Sequence, residues 1–394
     1  MKLAHLADLH LGFRQFDRQT PRGGNQREAD VAQAFARAVD DLLEQRPNLV
    51  LVAGDVFHSV RPTNPAILFL FQQLQRLRVG LPDVPVVLVA GNHDTPRSAD
   101  TGTILRLYEA LGVHVVNETA RRLVFPSLDC AVLAVPHQAL IAPERPALRP
   151  ERGGPRFNVL LAHGELPELT PIGQVPLEFG GAPLSREELG IAHWDYVALG
   201  HFHVANEVAP NCWYAGSLEY VSVNIWGDLR EQSDRAGKRE GKGYLLVDLP
   251  GAKVTFRPVA PARRFLDLPP VHGSGLTAKE VMAQIEQRVG AAKPSIDDQV
   301  VRLVVYDVSR GTAADLDHAA IRAFKARALN FQLDIRRPES RRVTGVGAPG
   351  SRLTLPETVR GFLAHRPLDA DLDRDEFVRL GVHYVEQVSR EDHG

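Results

Sequence analysis

The feature that most constrains this chain is the way its apolar runs end. "LVLVAGDVFHS", Leu49 to Ser59, reads as a buried parallel strand that stops at Gly54 and then presents Asp55 and His58. Four other stretches do the same: "LADLHLG" with Asp8 and His10, "VAGNHDTP" with Asn92, His93 and Asp94, "LLAHGE" with His163, and "ALGHFHVAN" with His201 and His203. Open α/β sheets build their sites at the carboxyl ends of strands, where side chains leave the core together. Between the first runs the apolar spacing is helical. Val31, Ala34, Phe35, Ala38 and Leu42 recur from Arg27 to Gln45, and Ile67, Leu68, Phe71, Leu74 and Leu77 recur over 63–78. A third helix is expected over 101–111. After Val113 strands dominate. The expected fold is α/β, two sheets packed face to face with helices outside.

Composition removes some function classes. Net charge is −2, so any site for a polyanion must be local. Cys130 and Cys212 lie far apart in apolar contexts and are expected to be buried thiols, not a disulfide. "MKLAHLADLH" reads as a short strand and not a signal peptide, and no apolar run is long enough to span a membrane. The expected organisation is a catalytic domain over 1–262, a small α+β unit over 263–338 and a linker with helices over 339–394. The small unit has strands near Phe265, at "VVRLVVYDV" and at "FQLDI", with helices at 277–289 and 315–327. Residues 142–156 and 227–243 read as surface segments, and 337–354 has linker composition. In the tail, Phe362, Leu363, Phe377, Leu380, Val385 and Val388 fall on short amphipathic helices. Such helices are marginal alone, so a partner's groove is expected to receive them.

Each strand-end motif taken singly has an ordinary explanation in turn and loop chemistry. Taken together they do not: six of the fifteen histidines sit at strand ends beside carboxylates, an amide and glycines. Gly54, Gly91, Gly164 and Gly200 are expected to let the backbone turn sharply beside a ligand. The donors are all oxygen and nitrogen, which suits Mn, Fe or Zn in a site without thiolates. They are too many for one ion. Two ions about 3.5–4 Å apart would use them, and such pairs hydrolyse phosphoesters. Asp55, on the middle strand, is the natural bridge. His5 reads as a core histidine, and His114, His137 and His193 as structural or exposed. Arg336, Arg337, Arg341 and Arg342 suit either a phosphate grip or a solvated linker. Helix 63–78 is apolar on more than one face at Leu68, Phe69, Leu70 and Phe71, which suits burial under a loop or a helical dimer interface. There is no GxxxxGK[ST] stretch, so any ATPase must be another chain.

The motifs "HLADLHLGFRQ", "AGDVFHS", "GNHDTP", "AHGE" and "GHFH", then "YAGSLEYVS" and "GKGYLLVDL", resemble the SbcD exonucleases. These belong to the calcineurin-like metallophosphoesterase superfamily and are bacterial counterparts of the meiotic-recombination-eleven nucleases. The resemblance implies a two-sheet metallophosphoesterase sandwich flanked by helices, with a DNA-capping domain and ATPase-binding tail helices. It implies two Mn(2+) per chain, one held by Asp8, His10, Asp55 and His203, the other by Asp55, Asn92, His163 and His201. His93 would protonate or position the leaving oxygen with Asp94 orienting its ring, and His58 would touch the substrate phosphate. It further implies a manganese-dependent 3′–5′ double-strand exonuclease and single-strand endonuclease of double-strand-break repair. Its partners would be DNA ends, hairpins and single strands, an SbcC-type coiled-coil ATPase and a second copy of the chain, in the cytoplasm at the nucleoid. Two rival readings are a small-nucleotide phosphodiesterase on the same site and a DNA-end-tethering scaffold.

Overall fold

The computed structural model describes residues 1–96, 102–151, 153–169, 180–234, 241–338, 354–366 and 373–391. Arg341, Arg342 and most of the 337–354 linker lie outside them, as do residues 235–240 of the charged 227–243 stretch.

Strand β1 (Lys2–Leu6) pairs in parallel with β2 (Leu49–Ala53), β2 with β3 (Val86–Val89), and β3 with β4 (His114–Val116). Twelve strands form two six-stranded sheets. β5 (Arg121–Phe125), β6 (Cys130–Val135), β7 (Phe157–His163), β8 (Tyr196–Gly200), β9 (Asn206–Ala209) and β10 (Cys212–Tyr214) form the second, with β10 between β8 and β9. The chain then returns to the first sheet as the antiparallel pair β11 (Lys242–Asp248) and β12 (Lys253–Val259), with β11 beside β1.

Alternation along the strands decides what each side chain packs on. Val50 and Val52 face the helices with Val31, Phe35, Leu42, Leu70 and Leu74. Leu49, Leu51 and Ala53 face the second sheet with Val132, Val159, Leu161 and Ala198. Both faces of the central strands are covered, which is why these runs read as continuous apolar sequence. Helix α1 (Gln26–Gln45) starts at Asn25, whose side chain accepts from the amides of Arg27 and Glu28. Helix α2 (Asn64–Gly80) starts at Thr63 in the same way. The expected helix at 101–111 is a 3-10 helix over Ile104–Leu111. On α2, Leu70 is fully buried and Phe69 packs on the core, whereas Leu68 and Phe71 are exposed.

A third sheet orders β13 (Phe265–His272), β14 (Val300–Tyr306) and β15 (Asn330–Ile335). Two compact units result. The first comprises Met1–Val271, Met282–Val304 and Asp317–Asp334; the second comprises His272–Val281, Val305–Leu316 and Ile335–Gly394. Residues 263–338 are thus divided between the two units. In the first, Trp226, Val300 and Leu329 form a small core with Phe16 and Phe265 against it. In the second, helix Leu355–Ala364 packs on helix Arg374–Glu391. Leu363 and Val359 meet Gly381 so closely that a Cβ there would collide with Leu363. Arg374 closes the end of the first helix by donating to the carbonyls of Ala364 and Arg366, each at 2.9 Å. Phe362, Leu380 and Tyr384 remain exposed on the outer side. The side chain of Val388 lies outside the description. No helix among the described residues is long and apolar enough to cross a membrane.

Candidate metal centre

Because β1 and β2 are parallel, the loops after them leave the sheet side by side. Asp8 N–H donates to the Gly54 carbonyl at 3.0 Å, His10 N–H to Asp55 at 2.9 Å, and Leu11 N–H to Val56 at 2.9 Å. The ladder continues past the strands while the backbone turns out of β geometry. Asp8, His10, Asp55 and His201 have φ of 52°, 45°, 49° and 119°. Positive φ on non-glycine residues costs about 1–3 kcal/mol each and gathers at functional sites. Four such residues lie here, at the ends of three strands.

The strand ends bring the expected donors together. Asp8, His10 and His203 form one group whose ligand atoms all lie within 4.8 Å of one another, and Asp55, His163 and His201 form a second. Asn92 joins the second group, its Oδ1 lying 2.8 Å from His163 Nε2 and 3.3 Å from His201 Nδ1. Asp55 lies between the groups, with Oδ2 3.4 Å from His163 Nε2 and 3.7 Å from His10 Nε2. That oxygen is buried and has no hydrogen-bond partner among the described residues. An unsatisfied buried carboxylate oxygen is costly, and a cation on it removes the cost. The donor set therefore fits two cations.

The ring nitrogens are sorted by their outer partners. His163 Nδ1 donates to the Ala53 carbonyl at 2.8 Å, which turns Nε2 toward Asp55. Burial, with neighbouring ring charges, holds His10 and His203 well below the usual histidine range, and His201 down at about 3. These rings are neutral, as ligands must be. Burial also pushes His163 down, but the carboxylate of Asp55 outweighs it and raises the ring to about 9.

The two oxygens of Asp94 accept from the amides of Val56 (3.0 Å), Phe57 (2.9 Å) and Gly91 (3.0 Å), and His93 Nδ1 lies 2.8 Å from the His58 carbonyl. Asp94 thus frames two loops, and burial beside the charge of Asp55 raises it to about 6. Of the four glycines expected at sharp turns, only Gly54 has positive φ. The others are needed for close approach: a Cβ on Gly91 would collide with Asp55, and one on Gly200 with the Ala53 carbonyl. His137 is buried, its Nε2 lies 2.8 Å from the Gly180 carbonyl, and it lines a cleft of about 560 Å³ with His58, Asn92 and His93.

His58 lies at the same mouth. Its Nδ1 is 3.2 Å from His10 Nδ1, its ring stacks on His93, and burial lowers it to about 4. His5 is a core histidine, fully buried between the Tyr196 hydroxyl at 3.0 Å and the Leu199 carbonyl at 3.1 Å. Cys130 and Cys212 are buried free thiols. Sequence reasoning missed the support behind His203. Lys242, nearly fully buried, donates to the His203 carbonyl at 2.7 Å and pairs with Asp228 at 3.1 Å. Arg27, also buried, pairs with Asp30 at 3.2 Å and donates to the Tyr220 carbonyl at 2.7 Å. A lysine in an apolar strand, as in "GKGYLLVDL", was the available signal.

Comparison with known proteins agrees with this geometry. The profile of the Calcineurin-like phosphoesterase family matches residues 1–205. The chain belongs to that family, whose members hold a dinuclear metal site. Among curated relatives, the DNA double-strand break repair protein Mre11 of Methanocaldococcus jannaschii is 27% identical over 259 residues, covering 64% of this chain and 63% of the relative. The protein of the same name from Haloferax volcanii is 27% identical over 343 residues, covering 82% of this chain and 64% of the relative. The chain thus spans a little under two thirds of these relatives. A solved structure from Thermus thermophilus aligns over 66% of this chain and 99% of its own at 14% identity, with a TM-score of 0.37.

Proposed function

We propose that this chain is a manganese-dependent DNA nuclease of double-strand-break repair, a 3′–5′ double-strand exonuclease and single-strand endonuclease. The observation that carries the reading is Asp55: a buried carboxylate oxygen without a hydrogen bond, flanked by two donor groups, in a chain whose relatives are named as double-strand-break repair proteins. Asp8, His10, Asp55 and His203 would hold one ion, and Asp55, Asn92, His163 and His201 the other. When bound, two such cations supply Lewis acidity that activates water at neutral pH and offsets charge on the phosphate oxygens.

The chain's own residues supply the rest. His93 Nδ1–H donates to the His58 carbonyl, so the ring would act as an imidazolium that passes its Nε2 proton to a departing 3′ oxygen and returns to the neutral Nδ1–H form. His58 lines the same cleft and is positioned to meet a phosphate oxygen. Asp94 holds the loops of Val56–Phe57 and Gly91 in register, which keeps Asp55 and His93 at fixed separation. The residues over 263–338 are read as the DNA cap. The exposed Leu68 and Phe71 of α2 are read as part of a homodimer face, and Phe362, Leu380 and Tyr384 as the face offered to an SbcC-type coiled-coil ATPase. The expected setting is the cytoplasm, at the nucleoid.

The test compares mononucleotide release from linear duplex DNA with hydrolysis of a small phosphate bis-ester, with MnCl2 present and after chelation. Duplex digestion that requires metal and exceeds bis-ester turnover is the expected result. Turnover of the bis-ester alone would instead favour a small-nucleotide phosphodiesterase. DNA binding without either reaction would favour a tethering scaffold.

A further inference from the structure

One ring nitrogen of the candidate metal centre has an unassigned neighbour. His201 points Nδ1 at Asn92 Oδ1, into the group of Asp55 and His163, so its Nε2 faces away from that group. Nε2 is buried and has no hydrogen-bond partner among the described residues. A carboxylate lies close by: Glu165 Oε2 is 3.9 Å away.

The chain brings Glu165 there for a reason legible in the strand. β7 ends at His163, but strand pairing runs one step further, because Glu165 makes a parallel bridge with Pro183. Its N–H donates to the Ala182 carbonyl at 2.8 Å, and its carbonyl accepts from Leu184 N–H at 2.7 Å. Residues two apart on an extended chain project to the same side. Glu165 therefore follows His163 toward the site. Gly181 closes the other side: a Cβ there would lie 2.6 Å from His201 Nε2 and 2.7 Å from Glu165 Oε2. Only glycine lets backbone cover the pair, and the Glu165 side chain is left 19% exposed. A normal N–H···O bond needs about 2.9 Å. Rotation of the flexible glutamate by about 1 Å closes the gap.

We propose that Glu165 is a positioning residue for His201. It accepts the Nε2–H, fixes the tautomer that leaves the Nδ1 lone pair on the cation side, and raises the basicity of that nitrogen. Outer partners of ligating histidines act in this way, and their loss typically costs about 10–100-fold in metal affinity. The inference rests on the two-cation reading of the site.

The experiment is calorimetric titration of MnCl2 into the full-length chain after chelation. Glu165→Ala keeps the backbone bonds to Ala182 and Leu184. It is expected to weaken one of the two binding events about 10–100-fold and to leave the other unchanged. Glu165→Gln still offers an acceptor oxygen and is expected to recover most of that loss. Unchanged affinities in Glu165→Ala, equal weakening of both events, or complete loss of one ion would each overturn the positioning role; the last would make Glu165 a ligand. His201→Ala separates this failure from that of the parent reading. If that variant still binds two ions as the wild type does, the two-cation reading fails; if it loses one while Glu165→Ala is silent, only the Glu165 inference fails.

Discussion

The strand-end site and the C-terminal helical pair bury their residues in opposite ways. At the site, Asp8, His10, Asp55 and His163 are fully buried on backbone that is partly strained. In the helical pair, Val382 is buried, but Phe362 and Tyr384 are 59% and 64% exposed. Two packed sheets can hold polar groups out of water in unfavourable backbone conformations because the surrounding core over-determines them. Two helices with one shared seam cannot. Preorganised chemistry is therefore expected where the core is thick, and surface offered to a partner where it is thin.

The largest effect that tests this contrast is expected at Asp55. Asp55→Asn keeps the shape, and asparagine tolerates the positive φ of 49°. The fold should survive while both cations are lost, with a drop in hydrolysis well beyond the roughly 100-fold that removal of an outer partner costs. Metal analysis of the purified variant checks this, and two ions retained would remove Asp55 from the bridge.

A smaller loss is expected at His93. His93→Gln should bind both cations and slow DNA hydrolysis by about 10²–10⁴-fold, the usual worth of acid–base help. Single-turnover rates at saturating MnCl2 measure it. A missing ion in this variant would make His93 a ligand.

Removal of the helical pair should leave hydrolysis intact. A chain ending at Arg352 is expected to fold and to retain metal-dependent activity, yet to fail in a pull-down with an SbcC-type coiled-coil ATPase that the full chain is expected to recover. Equal recovery by both chains would show that the exposed apolar side of the pair is not the docking face. An unfolded truncated chain would show that the pair supports its own fold.

The smallest effect concerns the sheet interior. Burial pushes Cys130 and Cys212 up from 9.0 to about 12. The folded chain thus favours the thiol. That contribution to stability is complete below the unfolded thiol's range and is lost as pH rises toward 12. Neither cysteine should react with iodoacetamide at pH 8 until denaturant is added. Native labelling of either one, read by mass spectrometry, would mean that its sheet opens locally.

Periodicity and residue type were enough to determine the alternating strands and helices, the two-sheet arrangement and the gathering of Asp8, His10, Asp55, Asn92, His93, His163, His201 and His203 at one edge. These are local properties: a strand of two-residue period places its last side chain wherever its apolar residues place the strand. What only the tertiary structure decided depends on pairs distant in the chain. Asp94 meets the amides of Val56 and Phe57, some 38 residues away, and the His93 ring meets the His58 carbonyl across 35. Gly91 and Gly200 are required by neighbours pressed against them, not by turns of their own. Lys242 reaches His203 across 39 residues, and Arg27 reaches Tyr220 across 193. No local pattern encodes such meetings, because the register of the packed sheets sets them and a one-residue slip would exchange every partner.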